Sequence, residues 1–236
     1  MNHGPSKTIG ILGGASSEST HQYYRRLDRA VNEHFGGHTD ADLLIRSLDF
    51  GAIKARQDEG DWEGVAEILV PAARSLEAGG ADVVLLASNT LHRVAPAVEA
   101  ALSVPFVHIA DPTAAAIEAA GVERVGLLGT RHVTGGEFYA DRLAASGIET
   151  VVPEQSGREE LDGLIFGELT RGEVTASGRE AVRSIAADLV EAGAGGIVLG
   201  CTELALVVEG ERIAGVPAFD TTARHVERAV ELATES

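Results

Sequence analysis

The sequence predicts an α/β fold made of two similar halves, each a parallel sheet covered by helices. Short apolar or β-branched runs alternate with longer helical segments along the chain, the pattern of strands joined by crossover helices. Three strand-ending motifs of the first half also return in the same order in the second half. Such an internal repeat indicates a duplicated structural unit.

The elements can be assigned in order from their composition and their boundaries. Gly, Pro or polar clusters stop each strand, and several helices begin near Ser, Thr or Asp and end near Gly. The predicted strands are 8–12, 43–47, 83–87, 106–109, 125–128, 149–152, 196–199 and 218–219. The predicted helices are 19–35, 62–78, 112–120, 135–146, 159–171, 176–192 and 222–234. Segments 51–61 and 131–136 are predicted to be loops that move when substrate binds.

The three repeated motifs have nearly the same displacement along the chain. The run 9–14 (IGILGG) returns 116 residues later at 125–130 (VGLLGT), and 85–90 (LLASNT) returns 113 residues later at 198–203 (VLGCTE). The run 104–106 (VPF), followed by Asp111, returns 112 residues later within 216–220 (VPAFD). Asp111 and Asp220 are predicted to cap the helices that follow them.

Composition excludes several classes of protein. The 236 residues, 44% of them hydrophobic, can bury a sizeable core. The single cysteine, Cys201, excludes an intramolecular disulfide framework and CxxC-type zinc sites. No window reaches the roughly 18 apolar residues of a membrane span, and the N-terminal stretch has no apolar signal region. We therefore expect a cytoplasmic protein that does not contact the membrane.

The net charge of −17 makes nucleic acid an unexpected partner. Only Lys7 and Lys54 among the basic residues are lysine. An acidic, lysine-poor surface is typical of proteins that stay soluble in high salt, although a GC-rich genome also favours Arg over Lys.

Small nucleophilic side chains end equivalent strands of the two halves. Ser88 follows the strand 83–87, and Cys201 follows the strand 196–199. Ligands of open parallel sheets bind beyond the carboxyl ends of the strands, so halves that face each other would bring both residues to one cleft. Two opposed acid/base groups suit proton removal and return at the two faces of one carbon, as in amino-acid racemisation. A thiol suits this role because its pKa lies near neutrality, whereas the serine hydroxyl is a weak acid/base.

Several stretches together carry a resemblance to a known family. They are 9–20 (IGILGGASSEST), 47–50 (SLDF) with Gln57, 88–92 (SNTLH), 108–111 (HIAD), 126–130 (GLLGT), 200–203 (GCTE) and 219–222 (FDTT) with His225. From about Ile9 to Leu232 the chain resembles the aspartate/glutamate racemases, and most of all the branch of L-aspartate/glutamate-specific and broad-specificity amino-acid racemases.

The resemblance implies a fold and an activity. The fold is two flavodoxin-like halves, residues 1–115 with 220–236 and residues 116–219, in which the last helix returns to the first half and the active site lies in the cleft between them. A homodimer is implied. The implied activity is racemisation of an aspartate- or glutamate-type amino acid, or a related small carboxylate, without pyridoxal phosphate, another cofactor or a metal.

The resemblance also implies roles for individual residues. Cys201 is one acid/base, and Ser88 stands at the second acid/base position, where most relatives have cysteine and the close branch can have threonine. The remaining implied residues hold the substrate's carboxylate or ammonium group (Asn89, Thr90, Thr130 and Thr202) or line the pocket (Gln57, Ala15 and Ser16).

Two departures from the family pattern bear on these roles. The family's Gly-Gly-Met turn is Gly13-Gly14-Ala15 here, and Glu160 stands where the close branch has a lysine for an acidic side chain. A shift of two residues would bring Arg158 to that place instead, so acidic substrates are the leading hypothesis.

The sequence also suggests how the acid/base residues work. We expect Cys201 to be held as a thiolate by the N-terminus of a helix that begins near Thr202. Ser88 needs a relay through water or His92 to exchange protons at a useful rate.

Alternatives to a racemase remain at this stage. The glycine turn lacks GxGxxG and GxxxxGK[ST], Ser88 lacks the GxSxG context of a hydrolase, and the pair His34 and His38 is better explained as a solvated loop than as a metal site. A lone thiol also fits a decarboxylase or other lyase of the arylmalonate decarboxylase type, which resembles this chain in fold. A third reading is a small-carboxylate binder that has lost its chemistry.

Overall fold

The computed structural model describes residues 7–208 and 210–235, which form two compact α/β units. The first unit is Met1–His108 with His225–Ser236, and the second is Ile109–Arg224. Their sheets have the strand orders β2-β1-β3-β4 and β6-β5-β7-β9-β8, and among the described strands only the pair β8·β9 is antiparallel. In order of occurrence within each unit, the first sheet has the order 2-1-3-4 and the second has the order 2-1-3-5-4. Both therefore begin 2-1-3, as the flavodoxin-like order does. The predicted α/β class and the two similar parallel halves are confirmed.

In the first unit, strands and helices alternate from the start of the described chain. The elements are β1 (Ile9–Gly13), α1 (Ser17–Phe35), β2 (Leu43–Ser47), α2 (Phe50–Glu59), α3 (Trp62–Ala78), β3 (Val83–Leu86), a 3-10 turn (Thr90–Val94), α4 (Ala95–Glu99) and β4 (Phe106–Val107).

The second unit repeats the alternation and adds a short hairpin. Its elements are α5 (Ala110–Ala119), β5 (Arg124–Gly129), α6 (Arg131–Thr134), α7 (Glu137–Ala144), β6 (Glu149–Val151), α8 (Gln155–Gly167), a 3-10 turn (Leu169–Arg171), α9 (Ala176–Glu191), β7 (Gly196–Gly200), a 3-10 turn (Thr202–Leu206), β8 (Arg212–Ile213) and β9 (Val216–Asp220). The last helix, α10 (Thr221–Thr234), begins here and continues into the first unit.

The central strands are buried on both faces, which explains their unbroken apolar composition. Because side chains alternate along a strand, Ile9 and Ile11 of β1 join a cluster with α1 and with Val226 and Ala229 of α10. Leu12 faces the other way and joins a cluster with α3. Helix α10 therefore packs in the core of the first unit.

The boundary between the units lies seven residues earlier than the sequence suggests, at His108 and Ile109 instead of 115 and 116. Helix α5 accounts for the difference, since Ile109, Ala114 and Ile117 pack in one cluster with Val125 and Tyr139 of the second unit.

The segment 51–61, predicted to be a mobile loop, is instead helix α2. The Asp49 carboxylate accepts a hydrogen bond from Gly51 N at 2.9 Å and caps the start, and Gly60 ends the helix with φ 73°. Only Ile53 and Gln57 are buried on this short helix, so its sequence has too few apolar residues to show the helical period. Within 131–136, the residues Arg131–Thr134 are also helical, as α6.

Among the described residues, no helix combines the length and the apolar character needed to cross a membrane.

Candidate active site

In the first unit, the turn after β1 brings the chain close to the segment that follows β2. Gly14 has φ 93°, and a Cβ there would lie 2.2 Å from Leu48 N. Ser16 then caps α1, because its hydroxyl accepts a hydrogen bond from Ser19 N at 2.9 Å. The Ser19 hydroxyl in turn donates to Ala87 O at 2.6 Å. This bond joins the start of α1 to the residue before Ser88, so Ala15, Ser16 and Ser88 lie at the same edge of the sheet.

Ser88 lies in a tight turn directly after β3. Its backbone N–H donates to Leu86 O at 2.8 Å, and its hydroxyl accepts a long hydrogen bond of 3.4 Å from Leu91 N. The buried His92 donates from Nδ1 to the Ser88 carbonyl at 2.6 Å. Asn89 is also buried, and Thr90 is half-buried. Because Nδ1 of His92 bonds the backbone and not the Ser88 hydroxyl, the structure does not support the predicted proton relay through His92.

A group of buried imidazoles lies beneath this turn. The ring of His92 is 4.6 Å from that of His108 and 5.7 Å from that of His225. His225 Nε2 lies 2.7 Å from Val107 O, and its Nδ1 lies 2.7 Å from the Tyr23 hydroxyl. The carbonyl can only accept, so Nε2 of His225 donates and Nδ1 accepts from Tyr23. Burial, with the nearby His92, lowers the pKa of His225 to about 3, so this ring is neutral at physiological pH.

In the second unit, Thr130 and Cys201 follow neighbouring parallel strands. Gly129 pairs with Gly200 in the register of β5 and β7, so the residues that follow them lie at the same sheet edge. Thr130 is buried, and its carbonyl accepts from Val133 N and Thr134 N at the start of α6. A side chain at Gly200 would approach Leu128 O to 2.7 Å. The strands therefore meet closely beside Cys201.

The Cys201 thiol is bound to a carboxylate two residues further along. Its Sγ donates to Glu203 Oε2 at 3.1 Å, and the Thr202 hydroxyl donates to the same oxygen at 2.5 Å. All three residues are buried. Burial raises the pKa of the Cys201 thiol well above its ordinary value, and the charge and hydrogen bond of Glu203 raise it further.

The expectation that Cys201 rests as a thiolate is therefore wrong. The segment after Cys201 is a 3-10 turn of five residues, Thr202–Leu206, and not an α-helix with a full dipole. The backbone N–H of Glu203 favours the thiolate, but burial and the Glu203 carboxylate outweigh it. Cys201 rests as a neutral thiol.

A cavity of about 550 Å³ lies between α6 and α8 of the second unit, and its lining is mostly charged. Its residues are Arg131, Gln155, Arg158, Glu159, Asp162 and Gly163. Asp162 accepts a hydrogen bond from Arg131 N at 2.9 Å, and its charge also contributes to the raised pKa of Cys201. The exposed Glu160 lines other cavities on α8. On α8, Arg158 lines the same cavity as Asp162, and Glu160 does not.

Within each unit the structure brings the predicted residues to one sheet edge. Ala15, Ser16, Ser88, Asn89 and Thr90 follow β1 and β3, and Thr130, Cys201 and Thr202 follow β5 and β7. Gln57 is buried on α2.

The sequence does not reveal the contact of Glu203 with the Cys201 thiol, the bond from Arg131 N to Asp162, or the bond between Tyr23 and His225. A carboxylate two residues after the cysteine was the one visible signal, and its meaning depends on the turn that folds it back onto the thiol.

Comparison with known proteins gives one family over nearly the whole chain. The model of the family described as Asp/Glu/Hydantoin racemase matches residues 12–229. Among solved structures, a proposed Asp/Glu racemase from Yersinia pestis is 40% identical, with a TM-score of 0.89 over 97% of this chain and 100% of that one. An aspartate racemase homologue from Pyrococcus horikoshii OT3 is 36% identical, with a TM-score of 0.84 over 97% and 100% of the two chains.

Two further similarities bear on the chemistry. The broad-specificity amino-acid racemase RacX of Bacillus subtilis is 27% identical over 146 residues, which are 61% of this chain and 63% of RacX. A variant of arylmalonate decarboxylase is 21% identical, with a TM-score of 0.62 over 97% of this chain and 93% of that one, and so shares the fold.

Proposed function

Because the chain belongs to the Asp/Glu/hydantoin racemase family, we propose that it is a cofactor-independent racemase of an aspartate- or glutamate-type amino acid. The observation that carries this proposal is the buried Cys201 thiol at the end of the central strand β7, hydrogen-bonded to Glu203. A buried thiol with a basic partner can give up and take back a proton without a cofactor.

The proposed reaction uses Cys201 on one face of the substrate's α-carbon and Ser88 on the other. One group removes the α-proton, and the other supplies a proton to the opposite face. Negative charge then builds on the substrate carboxylate, and Asn89, Thr90, Thr130 and Thr202 are the proposed donors that hold it, as in an oxyanion hole.

An acidic side chain is the proposed specificity, and the cavity beside Asp162 supports it. Arg131 and Arg158 line this cavity, together with the acidic Glu159 and Asp162. A guanidinium binds a carboxylate in a bidentate geometry that lysine cannot reproduce. Arg158 would thus take the part of the lysine that the family resemblance places at Glu160.

Proton exchange in deuterium oxide tests the proposal directly. The purified protein is incubated, without pyridoxal phosphate and at low and high salt, with L- and D-aspartate, glutamate and a panel of neutral amino acids. NMR follows loss of the α-proton, and chiral chromatography follows inversion. We expect exchange with slow inversion for aspartate or glutamate. No exchange with any amino acid would contradict the proposed function.

Replacement of Ser88, the proposed weak second acid/base, tests whether this residue exchanges protons with the substrate. Ser88→Cys supplies a thiol at a position where a hydroxyl is too weak an acid to be deprotonated at rest, so we expect inversion to become roughly tenfold faster or more. An inversion rate that is unchanged or lower would show that this residue does not exchange protons with the substrate.

A decarboxylase is the second candidate, and the protonated state of Cys201 favours it. A lone neutral thiol can protonate one face of a carbanion after loss of carbon dioxide, and no second acid/base is then needed. Incubation with substituted malonates, with carbon dioxide release as the readout, separates the two reactions. Release from a malonate without exchange of amino-acid α-protons would favour the decarboxylase, and tight binding without either reaction would indicate a carboxylate binder.

A further inference from the structure

We propose that Glu203 is a catalytic residue of this chain: it accepts the Sγ proton of Cys201 and so converts the resting thiol into the thiolate that attacks the substrate's α-proton. This inference rests on the proposed racemase activity and adds to it a third acid/base group.

The geometry places the proton acceptor in contact with the reacting sulfur. Glu203 Oε2 lies 3.1 Å from Cys201 Sγ, and Glu203 is only 4% exposed. The Thr202 hydroxyl donates to the same oxygen at 2.5 Å. A carboxylate oxygen that accepts two hydrogen bonds in a dry environment is fixed in position, so proton transfer needs no rearrangement of the side chain.

The charged groups around the thiol make a direct loss of its proton to solvent costly. A free thiolate would add a second negative charge beside the Glu203 carboxylate, with Asp162 also near enough to oppose it. Burial opposes it further. Transfer of the proton from Sγ to Oε2 avoids this cost, because the charge moves from Glu203 to Cys201 and the total does not change.

The step balances without any other reactant. The S–H bond of Cys201 breaks, an O–H bond forms on Glu203, and the electron pair remains on sulfur. The thiolate then takes the substrate's α-proton, and the S–H bond forms again. In the opposite direction the Cys201 thiol gives its proton to the carbanion, and the proton held by Glu203 passes back to sulfur.

The single cysteine makes the pairing measurable without any substrate. Because Cys201 is the only thiol in the chain, the rate of iodoacetamide alkylation against pH reports the Cys201 pKa alone. Glu203→Gln keeps the shape but removes the charge, so the alkylation midpoint should move to lower pH. Each unit of that movement makes alkylation about tenfold faster at a pH below the midpoint.

A matched control distinguishes the effect of direct contact with the thiol from the effect of any nearby negative charge. Asp162→Asn also removes a nearby negative charge, but its influence on Cys201 is the smaller one. We expect it to lower the midpoint less than Glu203→Gln does. Glu203→Asp retains the carboxylate on a shorter side chain, so the Cys201 pKa should stay partly raised. Circular dichroism spectra of Glu203→Asp and Glu203→Gln check that both variants keep the fold.

The catalytic part of the inference predicts opposite effects of Glu203→Gln on two rates. Alkylation should become faster, whereas α-proton exchange at saturating substrate should become about 100-fold slower, the usual contribution of an acid/base group. A merely structural role would slow exchange without moving the alkylation midpoint.

The outcomes distinguish this inference from the proposed function. An unmoved midpoint, or an exchange rate within about twofold of the parent, would overturn the role of Glu203 alone. Absence of exchange in the parent protein would contradict the proposed function and the catalytic role of Glu203 together.

Discussion

The ends of the two central strands β3 and β7 have the same place in their sheets but differ in chemistry. After β7, the Cys201 thiol is bonded to a carboxylate at 3.1 Å. After β3, the Ser88 hydroxyl accepts only a long bond from Leu91 N within the described chain, and the nearby His92 bonds the Ser88 carbonyl. One strand end thus has both a proton donor and an acceptor, and the other has a hydroxyl held by the backbone.

This difference indicates that two similar sheets carry strand ends with unequal hydrogen-bonding partners. For the proposed racemase, the two acid/base groups would then be unequal. A residue with a pKa far above neutrality exchanges protons slowly unless a base assists it. The face of the substrate served by Cys201 should therefore exchange its proton with solvent faster than the face served by Ser88. Exchange without inversion should then exceed inversion.

Removal of Cys201 abolishes the chemical difference between the ends of β3 and β7, and it has the largest expected effect on activity. Cys201→Ala removes the stronger of the two proposed acid/base groups, so exchange of both enantiomers should fall by roughly 1,000-fold or more. NMR in deuterium oxide measures the rate. Ser88→Ala is the matched control: it should stop inversion but preserve exchange with retention for one enantiomer. Substantial exchange in Cys201→Ala would remove this thiol from the mechanism.

The turns after β1 and β5 differ in backbone conformation although their sequences, IGILGG and VGLLGT, are similar. Gly14 has φ 93° and lies against the backbone of Leu48, whereas Thr130 has an ordinary extended conformation with φ −62°. Only the first turn needs glycine at this position.

Gly14→Ala should therefore destabilise the protein far more than Thr130→Ala. A Cβ at residue 14 meets Leu48 N at 2.2 Å and Leu48 O at 2.3 Å, and backbone atoms cannot move aside cheaply. Strain of the left-handed conformation adds to the clash, and we expect a loss of about 3 kcal/mol of unfolding free energy. Urea unfolding measures it. We expect about 1 kcal/mol or less for Thr130→Ala, and equal losses would contradict the difference between the turns.

Acid should destabilise the first unit, because unfolding allows His225 to take up a proton. The folded-state pKa of about 3 lies below that of an unfolded histidine, near 6.5. The unfolded chain therefore binds the extra proton as pH falls, and stability is lost from about pH 6.5 down to about pH 3. Between pH 7 and pH 5 this one group accounts for about 2 kcal/mol of unfolding free energy.

Urea unfolding of the parent and of His225→Gln at pH 7, 6 and 5 isolates this contribution. The variant loses the bonds to Tyr23 and Val107 and should be less stable at pH 7. Its stability should nevertheless fall less steeply between pH 7 and pH 5, because the titrating ring is absent. Parallel pH dependences of the two proteins would show that His225 does not cause the acid sensitivity.

The sequence predicts the framework better than the details at the strand ends. Alternation of apolar runs and helical segments was enough for the α/β class, because buried parallel strands such as β1 and β7 have a composition that few other elements share. Helix α2 was missed because its cap at Asp49 and its two buried residues carry little periodic signal. The sequence predicts the start of α8 at residue 159, whereas the helix begins at Gln155.

The candidate residues could be found from their positions, but their chemical states could not. The places of Ser88 and Cys201 after strands follow from the sequence pattern. The resting state of Cys201 depends on burial and on the approach of Glu203 Oε2, which a three-dimensional turn creates. The same applies to Arg158, because only the helix face on which it lies distinguishes it from Glu160.

Asp111, four residues after β4, and Asp220, the last residue of β9, are a further case in which similar sequence has a different role. Asp220 caps α10, since its carboxylate accepts from Ala223 N at 3.1 Å, as predicted. Asp111 does not cap a helix. It lies inside the first turn of α5, and its carboxylate forms a bidentate pair with Arg142 at 2.6 and 2.7 Å. The reason is that α5 begins at Ala110, one residue before Asp111.

Asp220→Ala should consequently cost more stability than Asp111→Ala. Loss of a helix cap costs about 1 kcal/mol, and loss of an ion pair whose side chains are 42% and 50% exposed should cost about 0.5 kcal/mol. Urea unfolding at 0.05 M and 1 M sodium chloride distinguishes the two mechanisms, because salt screens an exposed pair. The effect of Asp111→Ala should shrink at high salt, and most of the effect of Asp220→Ala should persist, since its hydrogen bond to Ala223 N is local. The reverse order of losses would mean that the helix-cap geometry at Asp220 contributes little to the stability of α10.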